Sequence, residues 1–365
     1  MVRRSQKPEA SGQKPAASGQ RAALGRSANT VLALFCLLTA GGWRLADGSS
    51  QKKVEKPKVH ADFHFGSLPL NRDAGDYLST DERARMLVVA FHEGWSTDKF
   101  AKEFKISPTD LVKTTDKLED TYIAGHQNEY DMRPFLPVIR DLDIAATESL
   151  RLKHSEEFLG LLEAHWKEFE DLVSGLDGAK SVPREQALYQ AVVSGLLFGG
   201  NLDAFFEDKT ILPPPPRRNK AGTSRFYAWL VESDSAFAGQ IVREFQTAGN
   251  HRIVSVGTSL PEDRRLQVED LRGTVPFYEG QDARKWRVFM SIFSRDTVMP
   301  FFKTKRDELR KVGNFVRAGN YVAFAEVFAW HYQMMADYAA QQLVAKKRIA
   351  APEKYYTYVI DAPPQ

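Results

Sequence analysis

Hydrophobic and polar positions along this chain follow a helical period over most of its length and an extended pattern in a few late segments. The apolar run 86–91 lies behind Ser79 and Glu82, whose three-residue spacing is a capping-box signature of a helix start. Gly94 ends that helix. Ser96 or Thr97 caps a second, short helix with Phe100 and Phe104 on one face. Ser107-Pro108 opens a third, with proline at its first position and Leu111, Leu118 and Ile123 turned inward. Gly125 follows, and 130–139 reads as an extended segment interrupted by Pro134 and Pro137. A longer helix over 155–176 carries Leu159, Leu162, Trp166, Phe169, Val173 and Leu176 as a 3–4 stripe. Another spans 184–207 and loosens at Gly199-Gly200.

Past residue 222 the pattern mixes. Strands are expected at 225–232 and 251–258, flanking a helix at 236–248, which has the size of a β-α-β unit. Helices follow near 282–293, 296–312 and 319–348, with a late strand at 355–360. The fold class expected is mostly α with an α+β C-terminal domain. Punctuation sets the boundaries. Residues 47–78 are a Lys-rich linker, 79–212 the helical domain, 213–222 a linker opening on Pro213 to Pro216, and 223–362 the α+β domain.

Residues 1–46 stand apart. They hold seven basic residues and one acid, with 17 uncharged residues between Arg26 and Arg44 centred on an apolar run at 31–38. That length suits the core of a signal peptide and is the lower edge of what can span a bilayer. A signal peptide or signal anchor is expected here, with the body exported or membrane-anchored and extracytoplasmic, as in a periplasm. The membrane is then a partner through this segment.

Composition changes the picture once the leader is removed. The chain has 50 basic and 47 acidic residues, so the remainder holds 43 against 46 and carries about −3. A basic footprint for nucleic acid disappears with the leader, and another protein is the expected partner. The only cysteine, Cys36, lies in the leader, so disulfides and thiolate chemistry are excluded from the body.

The three short helices at 79–120, the tight turn Lys105-Ile106-Ser107-Pro108 and the proline-containing segment to 139 resemble a winged helix-turn-helix domain. The resemblance covers about 60 residues and rests on spacing and turn chemistry. Such a fold places its third helix in the DNA major groove. Here that helix offers Asp110, Asp116, Glu119 and Asp120 against Lys113 and Lys117, and no arginine. Four acids repel phosphates, so packing or protein contact is the expected use and nucleic acid is not an expected partner.

Candidate chemistry is sparse. His60, Asp62 and His64 alternate at i, i+2 and i+4, which on a strand places three metal-ligand types on one side. The run resembles the opening strand of amidohydrolase barrels, but the repeated β-α units of that fold are absent. His92-Glu93 lacks the second histidine of a zinc-protease helix. His331, beside an aromatic stripe, reads as a core or interface histidine, and Arg217-Arg218 as solvated loop charges. No cofactor motif and no complete catalytic set is legible. The expected function is an exported or membrane-anchored binding protein without evident catalysis. The alternatives are a membrane-tethered winged-helix regulator with a cytoplasmic body, and a metal-dependent hydrolase using His60, Asp62 and His64.

Overall fold

In the computed structural model, which describes residues 59–69, 77–78, 80–128, 131–219, 224–232, 241–262 and 266–363, three short helices stand where local caps place them. α1 (Glu82–His92) starts on Asp81, whose carboxylate accepts the Ala84 N–H at 3.0 Å. The cap is therefore Asp81, and Ser79 lies outside the described residues. α2 (Thr97–Phe104) is capped by Ser96, which accepts from Lys99 N–H at 3.2 Å. Ser107 caps α3 (Pro108–Asp120) by accepting from Asp110 N–H at 3.1 Å. Each cap satisfies a backbone donor that the first turn leaves unpaired. β1 (Phe63–Leu68) precedes these helices. β2 (Ala124–Asn128) and β3 (Asp131–Pro134) follow them as an antiparallel pair, and then comes β4 (Val138–Ile139).

The long helix starts earlier than its stripe predicts. α4 (Asp141–Ala164) is followed by α5 (Trp166–Ser174), and Asp143 fixes the start by accepting the Arg140 N–H at 2.8 Å. α6 (Arg184–Tyr189) runs into a π-helical segment, Gln190–Gly200, and on into α7 (Asn201–Asp208). The loosening expected at Gly199-Gly200 is the end of that wide-turned segment.

β5 (Tyr227–Glu232) is buried along its whole length. It is the middle strand of a three-stranded sheet, antiparallel to β1 and parallel to β4. Its alternation divides the interior. Ala228 and Leu230, with Phe226 before the strand, join the core built on α1 and Phe100 of α2. Tyr227, Trp229 and Val231 join the larger core built on α4, α6 and the C-terminal helices.

The expected helix at 236–248 is corrected over its described part. Val242–Ala248 is β6, paired antiparallel with β7 (His251–Gly257) through Ala248↔His251. The loop is Gly249-Asn250, and Gly249 takes the positive φ (+59°) that a two-residue hairpin needs at its first position. The β-α-β unit therefore does not form, because β5 pairs with β1 and β4 while β7 belongs to a second sheet. That sheet has the order β6-β7-β9-β8, with β8 at Phe277–Tyr278 and β9 at Tyr355–Asp361. The helices of this half are α8 (Val268–Leu271), α9 (Gln281–Phe293), α10 (Met299–Thr304), α11 (Arg306–Phe315) and α12 (Phe324–Ala345). A second π-helical segment, Ser294–Val298, joins α9 to α10. α12 is buried nearly all round, because it packs on both α4 and β5.

Lys56–Gln365 clusters as one unit, and the β1–β5 pairing spans the proline-rich segment 213–222. Helices and several small sheets share this unit, so the chain is mixed α and β. The leader expected at 1–46 lies outside the described residues. Among the described residues no helix is long and apolar enough to cross a membrane. That finding corrects the expectations of a transmembrane helix, of the membrane as a partner and of a membrane-anchored, extracytoplasmic body.

Candidate functional site

The two π-helical segments and the second sheet enclose a cleft of about 770 Å³. On the sheet side, Arg243 of β6, Arg252 and Val254 of β7, and Tyr358 and Ile360 of β9 line the cleft from one face, as their registers require, and Phe245 of β6 lies on that face outside the lining. On the helical side the wide turns of Gln190–Gly200 release backbone carbonyls to other partners. Tyr332 Oη donates to Leu197 O at 2.6 Å, and Arg243 Nη1 donates to Phe198 O at 3.0 Å. Asn201 closes the segment: its Nδ2 donates to Tyr332 Oη at 3.0 Å, and its Oδ1 accepts from Ser294 Oγ at 2.8 Å. A Cβ on Gly200 would lie 2.8 Å from that Ser294 Oγ, so glycine permits the two π segments to meet.

These contacts fix Arg243 before anything binds. Its Nε donates to Ser194 Oγ at 3.1 Å, Ser194 bonds Tyr358 Oη at 2.8 Å, and the guanidinium lies 6.0 Å from the Phe245 ring. The Arg252 guanidinium sits on the same ring at 4.8 Å and makes no hydrogen bond to another described residue. Two arginines thus lie against one half-exposed phenyl ring. The floor is apolar, with Trp286, Met290, Met299 and Val254.

Five cations and four carboxylates line the cleft, and most are already paired. Lys303 holds Asp208 at 2.6 Å, Arg295 holds Asp296 at 2.7 Å, and Arg287 donates to Asp361 O at 2.8 Å. Asp203 still meets solvent in the cleft, yet the protein around it desolvates its carboxyl and pushes it above the usual range; Arg243 and Arg252 oppose that shift. The Arg252 guanidinium has no hydrogen-bond partner among the described residues, and charge-assisted bonds to a carboxylate or phosphate are the strong use of such a group.

The residues singled out in the sequence lie elsewhere. His60 is buried before β1, donating from Nε2 to Glu232 Oε1 at 2.6 Å and accepting the Asp62 N–H on Nδ1 at 3.2 Å. Both ring nitrogens are occupied, while Asp62 and His64 are exposed. His60, Asp62 and His64 do not converge as three ligand atoms, and the His60 ring instead completes a polar junction. There Arg140 donates to Glu232 Oε2 at 2.7 Å and to Glu93 Oε1 at 2.7 Å, and Arg317 meets Glu93 Oε2 at 2.8 Å. Burial pushes Glu232 up, but Arg140, the Asp141 N–H and His60 together hold its carboxyl below the usual range. His92, at the end of α1, bonds Tyr321 Oη at 2.8 Å. His331 is buried, with Nε2 3.0 Å from His154 Nδ1, and burial depresses both rings. Among the described residues one other group has metal-ligand spacing: His251, Glu279 and Asp361.

Arg243 and Arg252 escaped the sequence reading because Arg243 fell in the helix expected at 236–248. The Gly249-Asn250 pair, a two-residue hairpin signal, could have found them. No family model, no curated protein and no solved structure matches this chain.

Proposed function

We propose that this chain is a binding protein whose cleft takes a small organic anion with an apolar body. The supporting observation is Arg252, half-buried, stacked on Phe245 and without a hydrogen-bond partner among the described residues, beside the anchored Arg243 and over an apolar floor. A concave, mostly apolar site with a few placed polar groups is the usual form of a small-molecule pocket. Calorimetric titration with naphthalene-2-carboxylate tests the reading. Saturable binding is expected, weakened about tenfold or more in Arg252→Ala, which corresponds to about 1.4 kcal/mol. Equal affinity for the uncharged naphthalene-2-carboxamide, or no uptake by the native chain, sinks it.

A second reading concerns the N-terminal helices. We propose that residues 82–134 act as a winged-helix-like unit used for protein contact. Its support is the element order, three capped short helices followed by an antiparallel pair of strands. On α3 the acids Asp110, Asp116, Glu119 and Asp120 outnumber Lys113 and Lys117, and Val112 is 55% exposed between them. Duplex DNA on a column should not retain the protein at low salt. Retention that salt reverses would overturn the protein-contact reading.

A further inference from the structure

We infer that His251, Glu279 and Asp361 form a binding site for one divalent cation of the zinc or cobalt type. The site stands beside the anion cleft and does not depend on what the cleft binds. Its three donors come together through the topology of the second sheet. His251 opens β7 and is the direct register partner of Asp361, which closes β9. Glu279 follows β8, whose Tyr278 pairs with Ile360 of β9. Three strands therefore deliver one imidazole and two carboxylates to the same sheet edge.

The distances suit a shared ion. His251 Nε2 lies 3.2 Å from Glu279 Oε1 and 3.5 Å from Asp361 Oδ1, and all three donor atoms lie within 4.8 Å of one another. Two donors bound tetrahedrally at about 2.1 Å from zinc are separated by roughly 3.4 Å. A nitrogen with two carboxylate oxygens is a borderline donor set, suited to zinc and its neighbours more than to calcium. An outer contact aims the Asp361 carboxylate. Gly280 N–H donates to Asp361 Oδ2 at 2.6 Å, which turns Oδ1 toward the imidazole. Arg272 Nη2 donates at 3.1 Å to the same Glu279 Oε1 that faces His251, so a bound ion displaces that contact. The Gly280 contact, made to the oxygen that does not face His251, is of the kind that orients metal ligands in established sites. With three protein ligands, a tetrahedral ion keeps one position open, beside the cleft that Asp361 also lines.

The same spacing would hold a protonated imidazole between two carboxylates, so the test must detect the ion itself. Cobalt(II) titrated into the full chain is followed by visible absorption and equilibrium dialysis. One equivalent should bind per chain with the intense bands of a four- or five-coordinate ion. His251→Ala, Glu279→Gln and Asp361→Asn should each weaken uptake about tenfold or more. Glu279→Gln alters a side chain outside the core and keeps the test valid if another variant folds poorly. No saturable uptake by the native chain overturns the site, and so does undiminished uptake in any one folded variant.

Discussion

At Gly66 one hydrogen atom decides whether two strands can pair. Gly66 of β1 is the register partner of Trp229 of β5, and a Cβ there would lie 2.1 Å from the indole Nε1. Trp229 is fully buried and belongs to the larger core, so its ring has no room to swing away. Gly66→Ala should destabilise the protein by about 1–3 kcal/mol, the cost of overpacking a close-packed interior. Urea denaturation measures it, and an unchanged midpoint would mean the ring gives way. Nothing local announces this requirement, since the two residues meet only after a long separation along the chain. Arg218 makes the same point. Read from its neighbours as a solvated charge, it is 3% exposed, and its guanidinium spans the fold. It donates to Phe226 O at 3.1 Å, Tyr122 O at 2.8 Å and Phe135 O at 3.1 Å, and grips both oxygens of Glu326 at 2.8 and 3.0 Å. Burial raises Glu326 to about 7 even against that arginine. A buried arginine cannot be read from composition, because its partners are supplied by tertiary structure.

Elements were legible wherever their signal is local. Ser96 and Ser107 cap the helices they precede because an N-cap needs only a side-chain oxygen and the next few backbone N–H groups. The stripe on α5 and the end of α4 was legible for the same reason, since a helical face is a property of one segment. The extended segment 242–248 was not. Its apolar residues Val242, Phe245 and Ala248 recur every third position, as on a helix, and pairing with β7 overrides that pattern. The π-helical segments lie further from sequence reading still. In Gln190–Gly200, Tyr332 and Arg243 occupy carbonyls of the widened turns, and both come from distant elements. The cleft was therefore hidden twice: the β6 part of its sheet wall was expected to be a helix, and its helical wall takes its geometry from partners elsewhere. The aromatic run on α12 was visible, but its burial nearly all round follows from packing against both α4 and β5.

Across the whole molecule, α12 is the member that both halves share, and it carries a buried acid where the second sheet begins. Asp337 Oδ1 accepts the Ile241 N–H at 3.1 Å and Gln333 Nε2 at 3.1 Å, while Gln333 also donates to Ile241 O at 3.0 Å. These bonds fix the approach to β6, and hence to Arg243, onto the central helix. Burial pushes the Asp337 carboxyl up to about 8, and the two hydrogen bonds only partly oppose it. The folded protein thus holds this group protonated at neutral pH, whereas the unfolded chain ionises it near 3.9. Between those values the native state binds the extra proton, so stability falls as pH rises. The contribution is complete below the ordinary carboxyl range and is lost by the time the pH passes the folded value. Asp337→Asn keeps an acceptor for Ile241 and removes the titration. Relative to this variant, the native chain should lose up to about 1.4 kcal/mol for each pH unit between about 4 and 8. Urea denaturation of both proteins at several pH values in that range gives the two curves directly. They should diverge with the native chain falling faster; parallel curves would place an ionised Asp337 in the folded core and reverse the assignment of its proton.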